Sequence, residues 1–267
     1  MRKRDFDFRI EEQILEINHF IKDYFVKNGT PDTKAVIGIS GGKDSTVAAA
    51  LLVQALGADR VVGVMMPQGY QGDLDDARKV CEVLGIQNFV INIEPTCSEL
   101  FKSFTGNTKL PLNNQINTNA PARIRMNILY MVAAAVGGRV CNTGNASEAF
   151  IGYTTKYGDL AGDFALLKHL TVTEIYKIGD ALNLPYELVH KAPADGMSGL
   201  TDEDNTGIPY QAIDDYLLYG EYPEQKIYEK MIAAHKRNIH KEVIRLPAPI
   251  RKSIGLYTYD DEDWMVF

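Results

Sequence analysis

Apolar residues at Ile10, Ile14, Ile17, Ile21, Tyr24 and Phe25 recur at helical spacing, which predicts an amphipathic first helix. Asn28-Gly29, with Pro31 beyond, are its stop signals. The pattern then changes. Ala35–Ser40 (AVIGIS) is a short apolar run with β-branched residues, the signature of a buried strand, and an Ala- and Leu-rich helix follows over Ser45–Leu56. Val61–Met66 predicts a second strand, Asp73–Leu84 a second such helix and Phe89–Ile93 a third strand. This β-α-β-α-β alternation predicts a parallel sheet with right-handed crossovers. Lys102–Pro121, rich in Asn, Thr and Pro, reads as a loop. A long helix is expected over Ala122–Val136, ended by Gly137-Gly138, and a fourth strand over Arg139–Thr143. Further helices are expected over Thr173–Leu182, Ile213–Tyr219 and Glu224–Asn238. Ala194–Gly207 reads as a surface loop or mobile lid, and the tail from Pro247 as irregular. No repeat, low-complexity segment or linker breaks the chain, so residues 1–267 are expected to form one domain.

Composition narrows the function. Of 267 residues 45% are apolar and 24% charged, ordinary globular values. Against 28 Lys and Arg stand 35 Asp and Glu, a net charge of −7. That argues against a general nucleic-acid or membrane-surface partner, though not against a local basic pocket for a small anion. No apolar run reaches the roughly 20 residues a membrane helix needs. The opening MRKRDFDFRIEEQ lacks the apolar stretch of a secretory signal. The three cysteines, Cys81, Cys97 and Cys141, are too few and too scattered for a disulfide framework or a four-cysteine zinc site. A cytoplasmic location is the expectation.

Between the first strand and its helix stands Ser40-Gly41-Gly42-Lys43-Asp44-Ser45. Two glycines let the backbone turn tightly and approach a ligand closely. The amides that open the next helix attract phosphate, Ser40 and Ser45 add hydroxyls and Lys43 adds charge. Asp44 alone would repel phosphate; a bridging Mg²⁺, which takes carboxylate and phosphate oxygens together, removes the conflict. A Walker A loop is excluded because Ile37 and Asp44 occupy its Gly and Ser/Thr positions. A GxGxxG dinucleotide fingerprint is excluded because Ser40 stands where a glycine is needed. SGGKDS behind a strand resembles the pyrophosphate loop of the N-type ATP pyrophosphatases, which cleave ATP between the α and β phosphates.

A second cluster, Asn142-Thr143-Gly144-Asn145-Ala146-Ser147-Glu148 and then Gly152 through Asp159, follows the fourth strand, with Asp163 beyond. It places Thr143 and Glu148 at a strand's carboxyl end, where open α/β sheets bind ligands, so Glu148 is a candidate second Mg²⁺ carboxylate. Taken with SGGKDS, the pattern NTGNASEAFIGYTTKYGDLAGD resembles the ammonia-dependent NAD synthetases. Ala122-Arg123-Ile124-Arg125-Met126, Lys191-Ala192-Pro193 and Asn238-Ile239-His240-Lys241 match that family in order and spacing. The resemblance spans about residues 10–250. It leaves no length for a glutaminase domain and no cysteine near the start to serve as that domain's nucleophile.

The resemblance implies a three-layer, Rossmann-like α/β fold, adenine nucleotide alpha hydrolase-like, with helices on both faces of a parallel sheet. It implies ATP as co-substrate, held by Gly38, Ile39, Ser40, Gly41, Gly42, Lys43, Asp44 and Ser45, with Thr143 and Gln71 also at ATP. Val172 and Ala194 fall at family ATP-binding positions where Lys, and Ser or Thr, are usual, so the chain departs from the pattern there. Asp44 and Glu148 would hold Mg²⁺. Arg123, Lys156, Asp163, Ile239 and His240 would sit at deamido-NAD, and Asp159 would hold ammonium and take its proton. Asp44 and Asp159 are thus the catalytic candidates. A homodimer is implied, with the long helix from Ala122 in its interface and the dinucleotide site built from both chains.

The implied chemistry has two steps. The nicotinate carboxylate of deamido-NAD attacks the α-phosphorus of ATP, pyrophosphate leaves, and ammonia then attacks the acyl-adenylate to give NAD and AMP. The rivals are a tRNA-modifying ATP pyrophosphatase, which would want a basic face, and a non-catalytic nucleotide-binding module on the same fold.

Overall fold

The computed structural model describes residues 8–69, 73–190 and 201–241. Five parallel strands form one sheet: β1 (Lys34–Gly38), β2 (Val61–Met65), β3 (Gln87–Val90), β4 (Gly138–Asn142) and β5 (Phe164–Ala165), in the order β3-β2-β1-β4-β5. The central strands are buried on both faces, which is why they read as continuous apolar runs. The edge strand β3 is exposed along its length.

On one face, α1 (Ile10–Asn28) and α2 (Lys43–Leu56) pack with α7 (Val172–Ala181) over a core that includes Ile17, Ile21, Ile37, Leu51, Phe164 and Ile175. On the other face, α5 (Asn114–Val136) lays Met126, Leu129 and Ala133 against Val36, Val62, Val64 and Val140. The expected layered architecture is therefore present. Its strand order reverses between β1 and β4. The two loops singled out in the sequence leave the carboxyl ends of these strands, the place where such sheets bind ligands.

The predicted loop over Lys102–Pro121 is a correction. It is helical through most of its length, in α4 (Glu94–Thr108) and the first turns of α5. Its Asn and Thr residues mostly occupy the solvent side, and the Asn113 side chain caps α5 by accepting from the Ile116 N–H at 2.9 Å. Pro121 sits inside this helix and is buried there. The predicted loop Ala194–Gly207 is described only from Thr201 on, where Asp202–Thr206 form a short helix, α9, with a Thr201/Asp204 capping box. The rest of that loop and the tail from Pro247 lie outside the described residues. No helix among the described residues is long and apolar enough to cross a membrane. Cys81, Cys97 and Cys141 are all buried thiols.

A second core cluster joins α6 (Ala146–Ile151), α10 (Tyr210–Tyr219) and α11 (Gln225–Asn238). A buried polar node pins it to α7. The Asp214 carboxylate accepts from Ser147 Oγ at 2.5 Å and from Thr173 N and Oγ1, both at 2.7 Å. Ser147 Oγ in turn accepts from the Val172 N–H at 3.1 Å. Burial pushes the Asp214 carboxyl up to about 6. The native state therefore holds this proton more tightly than the unfolded chain. The stability Asp214 contributes is full below the ordinary aspartate range and falls as pH rises through about 6. Asp214→Ala leaves three buried donors without their acceptor, and we expect a loss of about 2–4 kcal/mol in urea unfolding followed by circular dichroism. Asp214→Asn, which can still accept from Thr173 and donate to Ser147, should lose far less.

Candidate active site

A cavity of about 370 Å³ opens at the strand-order reversal, within the range of small-molecule sites. One wall is the loop after β1. Gly38, Ile39, Ser40, Gly41, Gly42, Lys43, Asp44 and Ser45 all line it. Gly41 has φ +83°, and a Cβ there would stand 2.8 Å from the Asp73 carbonyl, so only glycine fits. The loop is closed on itself. Gly42 N–H donates to Ser40 Oγ at 3.2 Å, while Ser45 Oγ and Thr46 Oγ1 donate to the Gly42 carbonyl at 3.1 and 2.8 Å. This fixes the first turn of α2, whose leading amides have no carbonyl partner within the helix and stand at its positive end.

The opposite wall is the segment after β4, where Asn142, Thr143, Gly144, Glu148, Thr154 and Asp159 line the cavity. Asn142 organises it: its Nδ2 donates to the carbonyls of Asp159 at 2.6 Å and Ala161 at 3.0 Å, and its Oδ1 accepts from Gly144 N–H at 2.9 Å. Asn145 links the two walls. Its Nδ2 donates to Asp44 Oδ1 at 3.1 Å, and its backbone N–H donates to Glu148 Oε2 at 3.3 Å in a capping box that starts α6. The apolar flank is Met65, Met66, Leu74, Ala77, Met126 and Leu129.

Electrostatics single out the same groups. Burial raises the Glu148 carboxyl well above its usual range, the neighbouring charge of Asp44 raises it further, and Lys43 offsets part of this. Burial alone would lower the Lys43 ammonium, but Asp44 and Glu148 hold it above the usual lysine range. Two carboxylates brought together in a partly closed cleft favour a bound cation. No group of three or more His, Cys, Asp and Glu among the described residues forms a metal-binding cluster. Two carboxylates beside a glycine-rich loop therefore fit Mg²⁺ shared with a nucleotide rather than an all-protein cage.

Asp159 is open to the cleft yet closely hedged by the chain. Desolvation raises its carboxyl, opposed by the hydrogen bond it accepts from Thr155 N–H.

The other expected site residues lie apart from the cavity. Arg123, Lys156 and His240 do not line it but form one chain of contacts. Arg123 Nε donates to the Lys156 carbonyl at 3.2 Å, and Lys156 Nζ to the His240 carbonyl at 3.2 Å. His240 and Ile239 belong to a 3-10 turn after α11. Asp163 is engaged with the sheet: its Oδ2 accepts from Val140 N–H at 2.7 Å, and its carboxylate also meets the Tyr130 hydroxyl. The Val172 side chain is buried in the second core cluster, and only its backbone N–H faces the polar node. Gln71 and Ala194 lie outside the described residues.

Arg125 and Asp202 are among the cavity residues not singled out in the sequence. Arg125, half-buried, donates from Nε to the Met66 carbonyl at 3.1 Å and lines the cavity, whereas Arg123 is exposed. Two residues apart on a helix, they cannot share a face, so the motif named both arginines but not which one turns inward. Asp202, at the start of α9, also lines the cavity and accepts from Tyr210 Oη at 3.3 Å.

A parallel α/β sheet with a glycine-rich loop and paired carboxylates at its strand-order reversal is the form of a nucleotide-binding α/β protein, and its SGGKDS loop resembles that of the ATP pyrophosphatases. More narrowly, the chain belongs to the NAD synthase family, whose model matches residues 13–253. It is 36% identical over 245 residues to the NH(3)-dependent NAD(+) synthetase of Pyrococcus furiosus, covering 91% of this chain and 89% of that one. It is 41% identical over 218 residues to the protein of the same name from Pyrococcus horikoshii, with 81% and 79% covered. Among solved structures it is similar to NMN synthetase from Francisella tularensis, with a TM-score of 0.82, 34% identity and 90% and 98% covered.

Proposed function

We propose that the chain catalyses the ATP-dependent amidation of deamido-NAD with ammonia, giving NAD, AMP and pyrophosphate, the last step of NAD biosynthesis. The observation that carries this is the pairing of SGGKDS with the Asn142–Asp159 segment across one cleft in a chain of the NAD synthase family.

The leading amides of α2, with Ser40 and Ser45, would bind and orient the ATP phosphates. Asp44 and Glu148 would hold Mg²⁺, which when bound would neutralise charge on the departing pyrophosphate. The Met65/Met126/Leu129 flank offers the adenine an apolar surface, and Thr143 and Gln71 fall at ATP positions. At Val172 the charge usual in the family is absent, its side chain being buried in the second core cluster, and at Ala194 a backbone group would stand in for the missing hydroxyl. Arg125 stands where it can meet a phosphate or carboxylate. Arg123, Lys156, Asp163, Ile239 and His240 would receive deamido-NAD.

A nicotinate carboxylate placed at the α-phosphorus displaces pyrophosphate and forms an acyl-adenylate, which makes AMP rather than oxide the later leaving group. Asp159 would bind ammonium and take its proton, leaving ammonia free to attack. A homodimer would cover some of the large apolar side chains left exposed, among them Leu100 on α4 and Met131 on α5. The enzyme would work in the cytoplasm, as one domain using free ammonia.

Incubation with ATP, Mg²⁺, ammonium and deamido-NAD should give NAD, AMP and pyrophosphate in equal amounts. ADP with phosphate, or no NAD, would overturn the reading. The likeness to an NMN synthetase favours one second reading, the same chemistry on the smaller nicotinate mononucleotide. The ratio of kcat/KM for the two acids decides between them.

A further inference from the structure

Lys43 is the residue that SGGKDS leaves unexplained. A lysine that contacts phosphate must be free to extend into the cleft, yet this one, although it borders the cavity, is almost wholly buried. It is the first residue of α2 and only 3% exposed. Its Nζ lies 2.9 Å from Asp44 Oδ2, 5.9 Å from the ring centre of Tyr176 on α7 and 5.6 Å from that of Tyr210 on α10. Both walls of this aromatic cage are themselves braced. Tyr176 stacks on His190, ring centres 5.0 Å apart and 10° from parallel, and Tyr210 is hydrogen-bonded to Asp202. A caged ammonium cannot swing out to water without breaking contact with two ring faces and a carboxylate. Asp44 Oδ1 is meanwhile held by Asn145. The positive charge is thus fixed beside the two carboxylates that converge on Asn145.

We propose that Lys43 is a built-in counter-ion that makes divalent-cation binding at Asp44 and Glu148 depend on the nucleotide. The inference rests on the reading that these two carboxylates hold the metal. With Lys43 in place, a free divalent cation meets a group whose net negative charge is one less than the carboxylates alone would give, and is repelled by an ammonium a few ångströms away. A cation arriving with a triphosphate brings several further negative charges, against which one lysine is minor. Metal and nucleotide therefore favour each other's binding, and by linkage the coupling is the same in either order. The device keeps the cleft from filling with a metal that has no phosphate to act on.

The test is Mn²⁺ binding to the full chain, read by electron paramagnetic resonance with and without saturating α,β-methylene-ATP, which cannot be cleaved at its innermost bridge. For the native chain we expect Mn²⁺ to bind at least about tenfold more tightly when the analogue is present. Lys43→Met keeps an apolar stem in the cage and removes the charge. It should bind Mn²⁺ alone on the order of tenfold more tightly than the native chain, and the enhancement by the analogue should shrink to match. Equal Mn²⁺ affinity of native chain and variant without nucleotide would overturn the proposal. So would native affinity that does not respond to the analogue, a result that needs no variant to fold. If the native chain bound no Mn²⁺ even with the analogue, the metal reading itself would fail and take this inference with it.

Discussion

Asp44→Asn should lower the rate of acyl-adenylate formation by about a thousandfold, roughly 4 kcal/mol of transition-state stabilisation, measured as exchange of labelled pyrophosphate into ATP in the presence of deamido-NAD. The side chain stands where both walls of the cleft meet. It pairs with Lys43 at 2.9 Å, accepts from Asn145 at 3.1 Å and adds its charge to that of Glu148. Asparagine keeps the shape and can still accept from Asn145. It removes the charge that balances Lys43 and that a cation would need. The same variant should lose Mn²⁺ binding in the presence of α,β-methylene-ATP while its circular dichroism spectrum stays native. Exchange at near-native rate in saturating Mg²⁺ would remove Asp44 from the metal site.

Much of this was legible in the chain itself, for identifiable reasons. Strands buried on both faces must be apolar at every position, so AVIGI and VVGVM stand out. The turn after β1 demands glycine at Gly41 by its left-handed φ and by the nearby Asp73 carbonyl, so the motif marks both place and shape. The helices α4 and α5 were illegible over Lys102–Pro121 because polarity there reports an exposed helix face, not the absence of a helix. The inward turn of Arg125 depends on where α5 rests on the sheet. The cage around Lys43 is assembled from α2, α7 and α10, elements far apart along the chain. No spacing within a motif reports such a contact. The motif could therefore supply a positive charge near phosphate, but not the fact that the charge is locked against Asp44.

Asp159→Asn separates the two halves of the reaction. Adenylation needs the phosphate loop and the carboxylate pair, neither of which Asp159 touches. Ammonia capture needs a group that attracts ammonium and accepts its proton. In the proposed reading Asp159 is that group, and it is held on both sides: Thr155 N–H donates to its carboxylate, and the Asn142 side chain donates to its carbonyl. Asparagine can still accept from Thr155, so the loop should keep its shape. Desolvation raises the Asp159 carboxyl, which makes it a better proton acceptor than an ordinary aspartate once ionised. A raised value means the proton is retained to higher pH, so ammonia-dependent NAD formation should fall on acidification sooner than an ordinary aspartate would allow. In Asp159→Asn that acid limb should flatten. We expect NAD formation to drop about 10²–10⁴-fold, the usual span for a lost proton acceptor, with a higher KM for ammonium. Pyrophosphate exchange should stay within about tenfold of native, because the chemistry at the α-phosphorus keeps all its partners. Hydroxylamine, a nucleophile that is largely unprotonated at neutral pH, should recover part of the lost turnover. Equal loss of exchange and amidation, or an unchanged acid limb, would place Asp159 in the scaffold of the cleft rather than at the ammonium.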